Sequence, residues 1–443
     1  MFANMNNFSK FLKLFVTILI LFSIMVGCSD SATEEVPPPT NTPVEEKVTE
    51  PTPRSEEGEP IHTEKSITIL TDEVRAPIIE ELAKPFTKKH GIDVEVQMVE
   101  FDDLLDTYKK TADTDEKTDI LIGPHDWIGE LVTKGLLLPI EISNRQKANF
   151  LPSAVAGFTF QDEMYGLPYA VENVALFYNT DLIETPPSTW SEVMAVADKL
   201  ESSGKVKQGY IMNADPYHFY PIQTAFDGYI FGWNERGKYD PNQVGLDSEG
   251  SIAAAQWLGN MVKDGHLVGN PEWDTMYEMF ESGDVAMLIT GPWSLSRIRE
   301  SGIPYGIANL PGELTESSSA KLAELDGLPF VGIQGFMINA LSENVDVAKI
   351  FVTEFILSEE TMQELFEMNL RPPAYLPTRR NIDDHDLAAF ARVGSNGLPM
   401  PAIPEMSAVW DDWREALRLI LVEEKDADVA FKDAADNIRA LIE

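Results

Sequence analysis

Apolar positions in the chain switch between two periods. Residues 66–70 alternate as a half-buried strand does, and Ile78, Ile79, Leu82 and Phe86 then recur at helical spacing. Pro77 marks the start of that helix and Gly91 its stop. Residues 92–101 alternate again, 102–112 predict a helix, 118–122 a short apolar strand, and 125–134 a helix closed by Gly135. Further on, 174–179, 209–212 and 285–290 predict strands, with helices near 219–229, 248–264 and 274–282. Thr189 and Glu192 stand at capping-box spacing, which puts Trp190 in the first turn of a helix rather than against a ligand. Residues 313–327 look like a polar loop, 330–340 like a strand, and the remainder is mostly helical. Alternating strand and helix predict an α/β layer architecture with a largely parallel sheet. Ligands of such sheets gather beyond the strand C-termini, here at 71–75 and 123–127.

Composition narrows the class. A chain of 443 residues predicts two or three domains, and 44% hydrophobic residues with eight Trp exclude a wholly disordered one. There are 73 acidic residues against 34 basic ones, a formal charge of −39, so no nucleic-acid partner is expected. A single cysteine excludes an intramolecular disulfide and any multi-thiolate metal site. The sequence holds no Gly-rich phosphate loop, no His-Glu-x-x-His and no Gly-x-Ser-x-Gly. Its six histidines are scattered, and His125 beside Asp126 is weak evidence for a metal, so neither metal nor cofactor is expected.

The first thirty residues carry an address. Lys10 and Lys13 precede an uncharged run at 14–27, too short for the roughly 20 residues a bilayer span needs, so 1–27 reads as a secretion signal. It ends in Met25-Val26-Gly27-Cys28, which resembles a bacterial lipobox, with methionine where leucine is usual. The resemblance implies cleavage before Cys28, acylation of its thiol and a stable lipid anchor. Residues 29–64 hold seven prolines, ten acidic residues and two basic ones; with Cys28 they read as a disordered tether.

Within 65–443 the candidate chemistry is aromatic rings next to carboxylates or amides in predicted loops. The examples are Asp126-Trp127, Tyr169 with Glu172-Asn173, Asp215-Pro216-Tyr217, Pro292-Trp293 and Trp410-Asp411. A neutral pyranose asks for that mixture: its C–H face lies on an aromatic ring, and its hydroxyls donate to carboxylates in charge-assisted bonds. An anionic ligand would want an Arg or Lys cluster, and the sequence displays none. Taken singly, Trp127, Tyr217, Trp293 and Trp410 could equally be core residues.

The run Tyr165-Gly166-Leu167-Pro168-Tyr169-Ala170-Val171-Glu172, followed by Leu176-Phe177-Tyr178-Asn179-Thr180-Asp181-Leu182, resembles the first interlobe crossover of extracellular solute-binding proteins. It is most similar to the maltose/maltodextrin-binding branch that serves ABC importers. Pro186-Pro187-x-Thr189-Trp190, Gly237-Lys238-Tyr239-Asp240, Gly291-Pro292-Trp293, Pro329-Phe330-Val331-Gly332 and Ile403-Pro404-Glu405-Met406-Ser407-Ala408-Val409-Trp410 extend the likeness over nearly all of 65–443.

The resemblance implies a two-lobed, periplasmic-binding-protein-like α/β fold. Lobe one would be 65–171 plus 336–382, lobe two 175–330 plus 387–443, and the hinge would lie near 172–174, 331–335 and 383–386. Asp126 would accept a sugar hydroxyl, Glu172 would be the hinge carboxylate of the site, and Asp215 and Tyr217 would form an acid–proline–tyrosine element that holds the ligand. Trp293 and Trp410 would stack on the sugar, and Arg414 would make a polar contact. Gly123 stands where the family has a stacking tryptophan, and Trp127 stands where it has arginine. Either the ring has moved four residues along or the register of the sugar differs. The expected protein is a non-catalytic, monomeric receptor, exported and lipid-anchored at the cell surface or in the periplasm. It would capture a malto-oligosaccharide or related neutral sugar for ABC permease subunits. The alternatives are a receptor of the same fold for another sugar or a cation such as a polyamine, and a glycosidase with facing carboxylates.

Overall fold

The computed structural model describes residues 66–313 and 327–442. The signal, Cys28, the tether and all but the two ends of the 313–327 stretch lie outside the described residues.

Strand β1 (Ser66–Thr71) leads into α1 (Ala76–Leu82) and α2 (Lys84–His90). The sequence predicted one helix here, but Pro85 has no N–H to return to the preceding turn, and the run breaks at Ala83. Gly91, with φ of 66°, ends α2 in the left-handed conformation. Next come β2 (Asp93–Met98), α3 (Phe101–Thr111) and β3 (Ile120–Pro124). The helix expected at 125–134 starts as a 3₁₀ turn, His125–Trp127, and continues as α4 (Ile128–Thr133). Strands β4 (Leu167–Glu172) and β5 (Ala175–Asn179) flank a two-residue step.

Then follow α5 (Trp190–Ser202), β6 (Gln208–Ile211), α6 (Pro216–Ala225), α7 (Glu249–Lys263), β7 (Val285–Thr290) and β8 (Tyr305–Ala308). Thr189 caps α5 by accepting the Glu192 N–H at 3.1 Å, and Trp190 is fully buried against Tyr210 and Trp257, a core role. Helix α6 starts earlier than the apolar pattern predicted. The Asp215 carboxylate accepts the His218 N–H at 3.0 Å and Pro216 follows at the first helical position, so this predicted loop is a capped helix start. The chain continues through β9 (Phe330–Asn339), β10 (Leu398–Pro399) and α8 (Trp410–Leu421).

The sheets are mixed, which corrects the expectation of a largely parallel arrangement. One has the order β10-β9-β3-β1-β2, with β4 also on β9; the other has β8-β5-β7-β6. Pairs β1/β2, β1/β3, β6/β7 and β9/β10 are parallel, while β9 runs antiparallel to β3 and β4, and β5 antiparallel to β7 and β8. Strands joined by a local helix crossover come out parallel. A strand that re-enters from a distant part of the chain is free of that constraint, and β9 is such a strand.

The buried apolar side chains form two separate cores, and the molecule is two-lobed. One core draws on Ile67 to Ala170 and Ile333 to Tyr375; the other on Val174 to Leu310, Phe330, and Leu387 to Ile438. The chain passes between cores three times: at 170–174, at 330–333 and at 375–387.

Candidate functional site

The tips of both sheets carry the same local device. Strand β3 ends in Gly123-Pro124 and a 3₁₀ turn holding Asp126 and Trp127; β7 is followed by Gly291-Pro292 and a 3₁₀ turn holding Trp293. In each, the indole folds back over the glycine. A Cβ at Gly123 would sit 2.3 Å from the Trp127 ring, and one at Gly291 would sit 2.1 Å from that of Trp293. Neither glycine has a left-handed φ, so the requirement is for space rather than backbone freedom. Gly123→Ala is expected to displace the Trp127 ring and cost about 1 kcal/mol or more, measurable by denaturant unfolding. A variant as stable as the parent would show that the ring moves freely.

Asp126 and Trp410 meet across the two lobes. The Trp410 Nε1–H donates to Asp126 Oδ2 at 3.2 Å, while the buried Asp126 Oδ1 has no hydrogen-bond partner. Burial pushes the Asp126 carboxyl up to about 7, against the opposing pull of the indole N–H. An unfolded aspartate titrates near 3.9. The folded state therefore holds the proton more tightly, a contribution fully present below pH ~4 and lost as pH rises through about 7. Asp126→Asn keeps the shape and cannot ionise. Its thermal stability relative to the parent is expected to improve steadily from pH 4 to pH 7.5; a pH-independent difference would refute the assignment.

The neighbouring His125 is buried and fixed by backbone on both sides. Its Nδ1 accepts the Ile333 N–H at 3.1 Å, which leaves Nε2–H to donate to the Met400 carbonyl at 3.1 Å. Burial holds this imidazole down at about 4. It ties the β3 tip to the 330–333 crossing and to Met400 of the second core, and among the described residues no group of three or more His, Cys, Asp or Glu could hold a metal ion.

From Trp410 an aromatic wall runs through the second lobe. Trp410 lies 6.2 Å from Phe330, Phe330 lies 6.4 Å from Tyr217, and Tyr217 lies 6.1 Å from Trp293, centroid to centroid. Trp410, Tyr217 and Trp293 are half-buried, so each keeps a face or edge open. The Tyr217 hydroxyl lies 3.2 Å from the Phe330 carbonyl and 3.3 Å from that of Glu172, and it donates to this pair. Its proton is thus committed to the crossing strands, and its lone pairs remain available as acceptors. Asp215 caps α6 beneath Tyr217. Burial would raise its carboxyl, but His218 and the charge of Arg414 hold it below the usual range.

Glu172 ends β4 opposite Gly332 of β9. Its Oε1 accepts the Gln334 Nε2–H at 2.5 Å, and Oε2 lies 2.9 Å from Arg371 Nε. Arg371 in turn donates from Nη1 to Asn369 Oδ1 at 2.9 Å. Beside this pair, Asp72 forms an ion pair with Arg75, whose Nε donates to the Tyr169 hydroxyl at 2.7 Å. Burial lowers the Arg75 guanidinium from its ordinary value, and nearby Arg371 lowers it further, while Tyr169 and Glu172 oppose both.

The sequence-predicted residues Asp126, Glu172, Asp215, Tyr217, Trp293 and Trp410 therefore form one connected constellation. Trp127 and Arg414 stand otherwise. Trp127 is 6% exposed and stacks on Phe101 at 5.9 Å, a lining or packing position against the first lobe. Arg414 Nη1 donates to Asp102 Oδ2 at 3.0 Å, making a second bridge between the lobes rather than presenting a free guanidinium.

The family model for bacterial extracellular solute-binding proteins matches residues 81–389, well over half of the chain. The chain belongs to this family. It is a binding protein and not an enzyme, and the two lobes with a shared seam are what such a protein uses to enclose a solute. Among similar proteins is a galactooligosaccharide-binding protein of Bacillus subtilis, 25% identical over 386 residues, 85% of this chain and 89% of that protein. A maltotriose-binding protein of Pyrococcus abyssi is 27% identical over 346 residues, covering 76% of this chain and 73% of that protein. A maltooligosaccharide ABC transporter solute-binding lipoprotein of Streptococcus pneumoniae (strain ATCC BAA-255 / R6) is 27% identical over 393 residues, 85% of this chain and 89% of that protein.

Arg371, Asn369, Gln334, Asp102 and His218 border the seam and were not singled out from the sequence, whereas Arg75 lies in the 71–75 loop expected to face a ligand. Arg371 and Asp102 were hidden because their partners are distant in the chain: Arg371 pairs with Glu172 and Asp102 with Arg414, whereas Arg75 and His218 meet Asp72 and Asp215 three positions away. The absence of a basic cluster in the sequence is corrected to this extent. Two buried arginines line the first-lobe side, each matched by a carboxylate, so their charge is balanced locally.

Proposed function

We propose that this protein captures a neutral oligosaccharide, a malto-oligosaccharide or close relative, between its lobes and delivers it to an ABC permease. The observation that carries the reading is the Trp410–Asp126 contact at the head of an aromatic wall: a stacking indole from one lobe and a carboxylate with an unused buried oxygen from the other. Sugar rings supply what both want, a C–H face for the ring and a hydroxyl donor for the oxygen. The charge-matched arginines argue against a ligand that brings net charge of its own. The names of the similar proteins, which specify malto-, maltotriose and galacto-oligosaccharides, point to the same chemical class.

We propose lobes at 65–171 plus 336–382 and 175–330 plus 387–443, with flexing near 172–174, 331–335 and 383–386; the division of the buried apolar residues into two cores supports this reading. A sugar bridging Asp126 on one side and Asp215, Tyr217, Trp293 and Trp410 on the other, with Glu172 as the hinge carboxylate between them, binds the closed form better than the open one, and that difference drives closure. Trp127 and Arg414 contribute at the end of the cleft near Phe101 and Asp102. The closed lobes would present the surface the permease reads.

Lipid attachment at Cys28 would keep the receptor at the membrane as a monomer on a tether. Among the described residues no helix is long and apolar enough to cross a membrane. Cys28→Ala should move the protein from the membrane fraction to the medium or periplasm; retention of the variant would refute the anchor. For the ligand, intrinsic tryptophan fluorescence and titration calorimetry against maltose, maltotriose, maltotetraose, galacto-oligosaccharides and spermidine provide the test. Saturable binding of a neutral oligosaccharide is expected, and response to spermidine alone would overturn the carbohydrate reading.

A further inference from the structure

His218 sits inside the aromatic wall and has one nitrogen with nothing to do. Its Nδ1 lies 2.6 Å from Asp215 Oδ1, the same oxygen that accepts the His218 backbone N–H at 3.0 Å. An ionised Asp215 can only accept, so Nδ1 carries the proton and donates. In the neutral ring that tautomer leaves Nε2 a bare acceptor. The residue is 7% exposed, and Nε2 is buried with no hydrogen-bond partner. A buried polar atom in that condition costs free energy unless a ligand or water supplies the missing bond.

The surroundings say which kind of ligand fits. The imidazole packs at 4.6 Å from the Trp273 ring, meets Trp293 edge-on at 5.6 Å and lies 5.9 Å from Tyr217. Trp273 continues into Tyr277 at 6.2 Å, so the orphan nitrogen lies among four other rings. A group entering there must be largely apolar yet donate one hydrogen bond. A pyranose edge meets that description, with C–H groups against the rings and a single hydroxyl for the nitrogen.

We propose that His218 is a ligand-binding and specificity-determining residue whose Nε2 accepts a hydrogen bond from one hydroxyl of the bound sugar, with Asp215 as the positioning residue that fixes its tautomer. The inference rests on the carbohydrate reading above and goes further by naming the atom that counts hydroxyls at the second-lobe end of the site. Sugars lacking the hydroxyl at that position would leave Nε2 unpaired and be rejected, because a buried acceptor without a donor discriminates more sharply than a lost apolar contact.

The test uses the tightest-binding oligosaccharide of the panel and the whole globular chain labelled with ¹⁵N-histidine. His218→Phe identifies the Nε2 resonance by its loss. In the parent protein this resonance is expected to move upfield on saturation with sugar, the signature of a lone pair accepting a new hydrogen bond. His218→Phe keeps the aromatic packing but removes the Nδ1 donor to Asp215 together with the orphan Nε2. The melting temperature of the free protein is recorded as the control for that loss, while affinity should fall about tenfold, the worth of one buried hydrogen bond. An Nε2 resonance that stays put at saturation, or a His218→Phe variant that binds within twofold of the parent, would show that the ring is only packing. If the parent binds no neutral oligosaccharide at all, the carbohydrate reading fails, and this assignment with it.

Discussion

Glu172→Gln is expected to destabilise the free protein by about 3–5 kcal/mol, the usual cost of leaving one partner of a buried ion pair without its counter-charge. Glu172 and Arg371 are 6% and 4% exposed, and they face each other at 2.9 Å where the chain leaves the first core. The substitution preserves size and the hydrogen bond with Gln334, so the loss reports the uncompensated guanidinium. Arg75 lies in the same electrostatic neighbourhood, so the stranded Arg371 charge is also repelled from nearby. Adding Arg371→Met removes that charge. The double variant is expected to recover most of the loss, because an apolar replacement of a buried pair is often close to neutral. Denaturant unfolding of the four proteins in the cycle decides the matter; a single-variant cost below ~1 kcal/mol would mean water already reaches Arg371.

Trp410→Ala is expected to weaken oligosaccharide binding by roughly 1–3 kcal/mol, about 5- to 150-fold, with a smaller effect on stability. The residue is half-buried and has two functions that can be separated. Its ring offers a stacking face, and its Nε1–H holds the Asp126 carboxylate from the opposite lobe. Trp410→Phe keeps most of the first and removes the second, so its affinity should fall between those of the parent and the alanine variant. Losing the indole also removes a contact made only when the lobes are together, so the closed form becomes less populated and apparent affinity falls further. Calorimetry with unchanged affinity in Trp410→Ala would take this residue out of the site. An affinity for Trp410→Phe as low as for alanine would assign the whole effect to the Asp126 contact.

The two variants probe different links. Glu172 tests what holds the crossing strands in place without ligand, and Trp410 tests what the ligand adds. His125 belongs with the first group, since one of its backbone partners, Ile333, lies on a crossing segment and the other, Met400, belongs to the second core.

Short-range signals survived folding intact. Gly91 and Gly135 end helices with φ of 66° and 71°, as their positions predicted, and Thr189 caps α5 through the Glu192 N–H. Each of these depends on contacts within about four residues, where the sequence alone contains both partners. The apolar periods likewise placed most strands and helices to within a few residues. They misjudged the start of α6, because capping by Asp215 and the fixed φ of Pro216 extend the helix beyond its apolar stripe.

What the tertiary structure alone decided is pairing at long range. Sequence told of no arginine cluster, yet Arg75 and Arg371 come near each other because residues 372–374 pair with β4 at Tyr169 to Val171 and Arg75 donates to the Tyr169 hydroxyl. The direction of β9, the Asp126–Trp410 contact over 284 positions and the bridge from Arg414 to Asp102 over 312 positions belong to the same class. Residue types and periodicity dictate which side chains are available and which local element carries them. Which oxygen meets which indole depends on how two cores are set against one another by three passages of the chain, and no periodicity within either lobe encodes that placement.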